Sequence, residues 1–196
     1  ADLVNFLLIN SVTFIFWVPT IMVNISNLDI LDVIKLSKLK KVFFAGEVFP
    51  TKHLNYWRTK LPDAEFVNLY GPIEIAVDCT YYVVNRFFED GESVPIGKPC
   101  RNTDIIILDS NNKSVKDGGQ GELCVRGSSL SLGYFNNLDQ TNKVFVQNPL
   151  INAYPEKIYR TGDLVYKNTH GEIMFVGRKD FQIKHMGYRI ELLEIE

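Results

Sequence analysis

The sequence has little of what several protein classes require. Its three cysteines, Cys79, Cys100 and Cys124, are an odd number without paired spacing, which argues against a disulfide framework or a zinc site and favours the reducing cytoplasm. It has no basic excess, because 21 Lys and Arg against 23 Asp and Glu give a formal net charge of −2 at pH 7. A nucleic-acid partner is therefore not expected. Internal repeats and low-complexity linkers are absent as well.

The most apolar stretch of the sequence lies at residues 1–23. Asp2, Asn5, Asn10 and Ser11 interrupt it, and no positively charged segment precedes it. It therefore fits neither a secretory signal nor a membrane span of about 20 apolar residues, and no membrane partner is expected. A buried helix followed by a buried strand is the simpler interpretation. The first residue is not Met, and we expect both ends to be cuts within a longer protein.

The hydrophobic pattern predicts two kinds of structure along the chain. In the first part, short strands alternate with helices, which favours a parallel sheet with helical cover: strands at 12–18, 41–44 and 65–69, and helices at 2–10, 28–36 and 51–60. From about residue 80, strands separated by turn clusters favour antiparallel β structure: strands at 79–85, 103–109, 121–127, 163–168 and 172–178, with a helix at 139–146.

The predicted fold class is α/β, with a partial parallel-sheet lobe followed by a smaller antiparallel, β-barrel-like subdomain. The change of pattern places a boundary at about residue 92, with the α/β lobe at 1–92 and the β subdomain beginning at 93.

Residues 68–74 (NLYGPIE) leave a predicted strand and enter a Gly-Pro turn. In open α/β sheets, ligands bind beyond the carboxyl ends of the strands. Tyr70 could stack there on a flat base, and Glu74 could hold Mg²⁺, which prefers oxygen ligands. The alternative from these residues alone is a plain turn with a surface tyrosine.

The segment Thr161–Asp163 is predicted to be a tight glycine turn after a strand that runs through Tyr159. An aspartate on such a turn can accept hydrogen bonds from the two hydroxyls of a ribose. Farther along, Arg178 offers a planar fork for ribose or phosphate oxygens. An ordinary hairpin turn and a charged turn before a strand are the alternatives for these two segments.

Taken together and in order, six segments resemble the adenylate-forming (AMP-binding) superfamily, which includes acyl-CoA synthetases, luciferase and the adenylation domains of nonribosomal peptide synthetases. They are FFAGEVFP (43–50), NLYGPIE (68–74), VPIGKPCRNTDIIILD (94–109), GELCVRGSSLSLGYFNN (121–137), YRTGDL (159–164) and GRKDFQIKHMGYRIELLEIE (177–196). Within the superfamily, the first and last segments look most like D-alanine–carrier-protein ligases, and next like peptide synthetase adenylation domains.

The resemblance implies an ATP-dependent ligase that activates an amino acid or another small carboxylate. Such an enzyme uses ATP and Mg²⁺ to form aminoacyl-AMP, then transfers the acyl group to the phosphopantetheine thiol of an acyl or peptidyl carrier protein. The family's phosphate loop is expected before residue 1 and its catalytic lysine beyond residue 196, so the chain alone is expected to be inactive. An acyl-CoA synthetase-type ligase and a degenerate, non-catalytic nucleotide-binding module are the alternatives.

The resemblance also implies roles for individual residues. The nucleotide would contact Asn68, Tyr70, Gly71, Asp163 and Arg178, and Glu74 would help to hold the metal. The substrate pocket would be lined by Thr20, Phe43, Ala45, Gly46, Leu69, Val77 and Asp78. The hinge and the face used in thiol transfer would include Asp180, Lys184 and Gly187. The resemblance also implies that the β subdomain, 93–180, ends at this hinge and that 181–196 is the start of a truncated C-terminal domain.

Three features depart from the family pattern or refine it. Ile73 stands where the family usually has a threonine that contacts the α-phosphate, and loss of such a hydrogen bond costs about 1.5–3 kcal/mol. Asp180 favours the amino-acid branch, because acyl-CoA synthetases usually have lysine there. Bulky Phe43 and Leu69, with the charge of Asp78, point to a small or cationic amino acid.

Overall fold

The structure is a computed structural model that describes residues 2–116, 118–180, 182–185 and 188–191. The chain divides into two compact units. The first contains the residues up to Leu69, Tyr82–Val94 and the described residues within 183–191, and the second contains Tyr70–Tyr81 and Pro95–Gln182. Among the described residues, no helix has the length and apolar content needed to cross a bilayer.

The first unit combines parallel strands with helices. Its helices are α1 (Asp2–Ile9), α2 (Pro19–Asn27), α3 (Ile30–Val33) and α4 (Thr51–Lys60), and its parallel strands are β1 (Phe14–Trp17), β2 (Lys41–Ala45) and β3 (Glu65–Tyr70). Strand β2 lies between β1 and β3. At the centre of the core of this unit, Trp57 and Phe44 have no exposed surface. The Trp57 indole N–H, the polar atom of this core residue, donates to the Met22 carbonyl at 2.9 Å.

One helix of this unit differs from the prediction. The predicted helix at 28–36 is wrong, because only the single turn Ile30–Val33 forms there, while Pro19–Asn27 is helical. Pro19 ends the strand as predicted, but it also begins the next helix, since proline at the first helical position lacks only an N–H that would have no helical partner. Asp29, with a left-handed φ of 47°, separates the two helices.

The second unit is mainly an antiparallel sheet that curls like half a barrel. Its strands are β5 (Lys98–Pro99), β6 (Thr103–Leu108), β7 (Gln120–Gly127), β8 (Phe145–Gln147), β9 (Lys157–Lys167) and β10 (Ile173–Arg178), and its helix is α5 (Leu138–Val144). Strand β4 (Thr80–Val83) begins in this unit and ends in the first. The order in the curled sheet is β10-β9-β7-β6, and β8 also pairs with β9. Strands β11 (Gln182–His185) and β12 (Tyr188–Glu191) pair separately. This mixture of a parallel and an antiparallel sheet confirms the predicted fold class.

The segment Thr161–Asp163 corrects the sequence prediction of a tight turn. It lies inside the long strand β9, where it forms a bulge. Glu122 pairs with Leu164 and Cys124 pairs with Arg160, so three residues of β9 lie opposite one residue of β7. A bulge bends the strand and turns side chains to new directions, and bulges are common beside active sites. We call Thr161–Asp163 the TGD bulge.

Candidate functional site

The TGD bulge places the carboxylate of Asp163 among polar partners in the second unit. Asp163 is only 5% exposed. Its Oδ1 accepts a hydrogen bond from Arg178 Nη1 at 2.8 Å, and its Oδ2 accepts one from the Tyr70 hydroxyl. The Asp163 N–H donates to the Thr161 hydroxyl at 3.0 Å, which is a bond within the bulge itself. The structure therefore brings together three residues that were predicted to contact a nucleotide.

Arg178, at the end of β10, connects this carboxylate with the predicted hinge residue. Its Nη1 also donates to the Thr161 carbonyl at 3.0 Å, and its Nε donates to Asp180 Oδ1 at 2.6 Å. Burial lowers the pKa of the Arg178 guanidinium, but its hydrogen bonds and ion pairs with Asp180 and Asp163 outweigh this and raise the pKa above its usual value. The same hydrogen bond from Arg178 is the main cause that holds the pKa of Asp180 below its usual range.

Tyr70 is buried, so the alternative of a surface tyrosine on a plain turn is wrong. The residue is 8% exposed, and its ring centroid lies 6.5 Å from that of Phe175. Burial, together with the charge of Asp163, raises the pKa of Tyr70 well above its usual value. The phenol therefore stays protonated at physiological pH and acts as a donor to Asp163.

The loop after Tyr70 folds back tightly on itself. A Cβ on Gly71 would lie 2.3 Å from the Val77 carbonyl oxygen and 2.7 Å from the Asp78 Cα, so only glycine fits against this backbone. Ala76 and Val77 have left-handed φ values of 58° and 86°. For the β-branched Val77 this conformation is a true outlier, and such strain is often found at ligand sites.

Glu74 lies in the single turn Ile73–Ile75 of this loop and is 3% exposed. Its Oε1 accepts a hydrogen bond from the Tyr134 hydroxyl at 2.6 Å. Within the described part of the chain, no group of three His, Cys, Asp or Glu side chains could hold a metal ion. A single carboxylate such as Glu74 can supply one oxygen ligand to a Mg²⁺ whose other ligands are phosphates and water. Sequence reasoning missed Tyr134, although it stands within a segment quoted for the family resemblance.

Ile73, beside Glu74, is 76% exposed. Its side chain therefore lies on the surface of the loop and does not pack in the core. The backbone that follows it is hydrogen-bonded normally for a short turn, since the Ala76 N–H donates to the Ile73 carbonyl at 3.2 Å.

The predicted pocket residues divide over the two units. In the first unit, Thr20, Phe43, Ala45 and Leu69 are half-buried and Gly46 is exposed. The Thr20 N–H and hydroxyl donate to Glu47 Oε2 at 3.0 and 2.6 Å, a contact that sequence reasoning did not predict.

Asn68, predicted at the edge of the base, also belongs to the first unit. It is 8% exposed and pairs in register with Phe44 on the neighbouring strand β2. Its position at the carboxyl end of a parallel strand is the one in which open α/β sheets bind ligands.

Val77 and Asp78 belong to the second unit. Val77 is exposed and Asp78 is half-buried. The Asp78 Oδ1 is buried and accepts no hydrogen bond from the residues that the structure describes. Burial raises the pKa of Asp78 to about 6.

The remaining predicted residues lie near the end of the chain. The backbone of Lys184 is in β11, while its side chain lies outside what the structure describes, as does all of Gly187. Within the predicted hinge set, the side chain that the structure describes is that of Asp180, and it accepts a hydrogen bond from Arg178.

Comparison with known proteins gives consistent matches. The family described as AMP-binding enzyme matches residues 2–135. Bacitracin synthase 1 of Bacillus licheniformis is 40% identical over 161 residues, which are 82% of this chain and 3% of that protein. The chain thus spans a very small part of the length of this relative.

Two solved structures are similar over the whole fold. The crystal structure of IdnL1 superposes with a TM-score of 0.92 at 30% identity, covering 100% of this chain and 40% of that one. The structure of holo-PA1221, an NRPS protein containing adenylation and PCP domains bound to a vinylsulfonamide inhibitor, superposes with a TM-score of 0.90 at 27% identity, covering 99% and 33%.

Proposed function

The chain belongs to the AMP-binding enzyme family, and on this basis we propose that it is part of an ATP-dependent ligase that activates an amino acid. The family match confirms the superfamily resemblance of the sequence motifs. The observation that supports a nucleotide site most is the cluster in which Tyr70 and Arg178 both donate to Asp163. The similarity to bacitracin synthase 1 and to the adenylation-domain protein PA1221 favours an amino acid over other carboxylates.

The proposed reaction has two steps. A carboxylate oxygen of the amino acid attacks the α-phosphate of ATP, which gives aminoacyl-AMP and releases pyrophosphate. The thiol of a phosphopantetheine arm on a carrier protein then attacks the acyl carbon and releases AMP. Bound Mg²⁺ would offset the negative charge on the phosphates. The PCP domain of PA1221 supports the carrier protein as partner, and because the reaction consumes ATP, we propose that it occurs in the cytoplasm.

The described residues have separate roles in this proposal. Asp163 accepts hydrogen bonds from the ribose hydroxyls, since an ionised carboxylate accepts several at once. Arg178 fixes the orientation of Asp163 from one side, and the Tyr70 hydroxyl fixes it from the other. Tyr70 would also stack on adenine, with Asn68 at the edge of the base, while Gly71 keeps the backbone compact around the loop.

The metal, the amino acid and the carrier thiol would use the remaining predicted residues. Glu74 would supply one oxygen ligand to Mg²⁺. Asp180 would act as the hinge. We propose the domain bounds expected from the sequence: 1–92 for the α/β lobe, 93–180 for the β subdomain and 181–196 for the start of the C-terminal domain. Lys184 and Gly187 would face the thiol. The amino acid, with D-alanine as one candidate, would bind in the pocket lined by Thr20, Phe43, Ala45, Gly46, Leu69, Val77 and Asp78.

The test is amino-acid-dependent exchange of pyrophosphate into ATP by the complete protein whose reading frame contains this chain. We expect exchange with at least one member of an amino-acid panel. The Asp163→Asn variant should raise the KM for ATP at least tenfold, because loss of a charged hydrogen-bond acceptor costs about 1.5–3 kcal/mol. Exchange that depends on a fatty acid, with no amino acid of the panel supporting it, would contradict the proposal.

Ile73 favours a second candidate function, a degenerate module that binds a nucleotide without activating a carboxylate. Its exposed side chain offers no hydrogen-bond donor at the position where the family uses a threonine hydroxyl. The Ile73→Thr variant separates the two functions. If the variant alone supports exchange while both proteins bind AMP, the chain is a degenerate module; if the wild type supports exchange, it is a working ligase.

A further inference from the structure

Glu122, on strand β7, lies directly behind the TGD bulge. It is 5% exposed, and its backbone pairs with Leu164, the first residue after the bulge. Its Oε1 accepts the N–H of Gly162 at 3.1 Å. A bulge leaves backbone groups without a strand partner. A side chain from the neighbouring strand therefore satisfies an amide that the sheet does not.

Gly162, at the centre of the bulge, is held by both of its backbone groups. Its carbonyl accepts the N–H of Lys179 at 2.8 Å, while its N–H donates to Glu122. The Lys179 ammonium in turn lies 3.2 Å from Glu122 Oε2. Gly162 adopts a left-handed φ of 73°, and a Cβ there would come within 2.9 Å of the Arg178 guanidinium. Glu122 and the segment Arg178–Asp180 thus hold the bulge from two sides.

The charges around Glu122 make this contact a strong one. Its Oε2 also accepts from Arg160 at 2.6 and 3.0 Å. Burial raises the pKa of Glu122, but the hydrogen bonds and charges of Arg160 and Lys179 outweigh it and hold the pKa below its usual range. Glu122 is therefore ionised at neutral pH, and charge-assisted hydrogen bonds are about twice as strong as neutral ones.

We propose that Glu122 is a positioning residue of the nucleotide site, which fixes Gly162 so that the neighbouring Asp163 is aimed at the ribose hydroxyls. Glu122 does not touch the ligand in this account. It acts through the backbone of the bulge and, through Lys179, on the first residues of the predicted hinge. The proposal rests on the proposed function, because it takes Asp163 as the ribose ligand.

The first experiment compares AMP with 2′,3′-dideoxy-AMP by calorimetry on this chain. The dideoxy nucleotide lacks the hydroxyls that Asp163 would bind, so a defect confined to the position of Asp163 weakens AMP alone. We expect Glu122→Gln to lower the affinity for AMP about tenfold and the affinity for the dideoxy nucleotide less than twofold. Glu122→Asp should recover part of the affinity for AMP. The control is Glu156→Gln, which removes a carboxylate that pairs with Arg126 at 2.9 Å. Equal losses for both nucleotides would show general structural damage and overturn the proposal.

The second experiment needs no ligand. Hydrogen exchange of the Gly162 amide, followed by NMR, reports directly on its bond to Glu122. We expect at least tenfold faster exchange in Glu122→Ala, with the amide of Val42 in the first unit unchanged. If the protection of the Gly162 amide is unchanged, the positioning role is overturned, whatever the effect on the affinity for AMP. If instead Gly162 loses protection while the wild type binds both nucleotides equally, the positioning of the bulge stands and the ribose assignment in the proposed function fails.

Discussion

The substitution Gly71→Ala tests how the loop beside Tyr70 is built. A methyl group at this position would lie 2.3 Å from the Val77 carbonyl oxygen and 2.8 Å from the Cys79 nitrogen, whereas ordinary contact begins at 3.4 Å. Backbone atoms cannot rotate away as a side chain can, so the segment would have to move by about 1 Å. The Cys79 N–H donates to the Tyr70 carbonyl at 2.8 Å, and that movement would break this bond.

The magnitude follows from these two effects. Overpacking of this kind costs about 1–3 kcal/mol, and the lost backbone hydrogen bond adds about 1 kcal/mol. We therefore expect Gly71→Ala to lower the free energy of unfolding by about 3 kcal/mol in urea denaturation followed by circular dichroism. The affinity for AMP should fall as well, because Tyr70 belongs to the same loop.

The matched control is Gly177→Ala. Gly177, like Gly71, lies outside the left-handed region, but no other atom lies within 4 Å of its hypothetical Cβ. Replacement of glycine by alanine at such an open position is expected to change stability by less than about 1 kcal/mol. If Gly71→Ala is no more destabilising than Gly177→Ala, the close approach of residues 77–79 to Gly71 is wrong.

Three further variants test the charges and the backbone conformation around the site. Burial raises the pKa of Asp78 from 3.8 to about 6, so the folded state binds more protons than the unfolded state between these pH values. The free energy of unfolding therefore falls as the pH rises from about 4 to above 6, and Asp78→Asn should remove that fall. The gain at pH 8 is at most about 3 kcal/mol, and about 1–2 kcal/mol after screening of a half-exposed group; a difference in urea midpoint that does not change between pH 4 and pH 8 would contradict the burial. Arg178→Lys should weaken AMP about tenfold in calorimetry, since one ammonium cannot replace a guanidinium that binds both Asp163 and Asp180, and unchanged affinity would exclude Arg178 from the site. Gly162→Ala should lose about 1–2 kcal/mol of stability from its left-handed φ and also weaken AMP by displacing Arg178, whereas a stability loss without any change in AMP affinity would separate the bulge from the nucleotide.

Much of the first unit could be predicted from local patterns. The helix Thr51–Lys60 and the strand beginning at Lys41 occur where the sequence predicts them, because apolar periodicity and the preceding Pro50 determine them locally. The helix Pro19–Asn27 was missed because one proline both ends a strand and begins a helix, and the sequence shows only the first of these roles.

The site could be predicted only in part, because its contacts join distant segments. Tyr70 and Asp163 are 93 residues apart, and only the resemblance to the superfamily suggested that they serve one ligand. The bulge depends on the register of two neighbouring strands, which a single-strand pattern such as YRTGDL does not reveal. Glu122 had one signal that could have been used: a charged residue within the strand GELCV, whose other side chains are apolar.

Binding of AMP to this chain by calorimetry is the most direct test of the nucleotide site. Asp163→Ala removes the carboxylate, and Asp163→Asn removes its charge while it keeps the size of the side chain. The control Asp104→Ala removes an exposed aspartate of the same unit that pairs with Arg126. We predict that the wild type and Asp104→Ala bind AMP equally and that both Asp163 variants bind at least tenfold more weakly. Equal affinity in all four proteins would contradict the assignment of Asp163 to the ribose and, with it, the nucleotide site proposed for this fold.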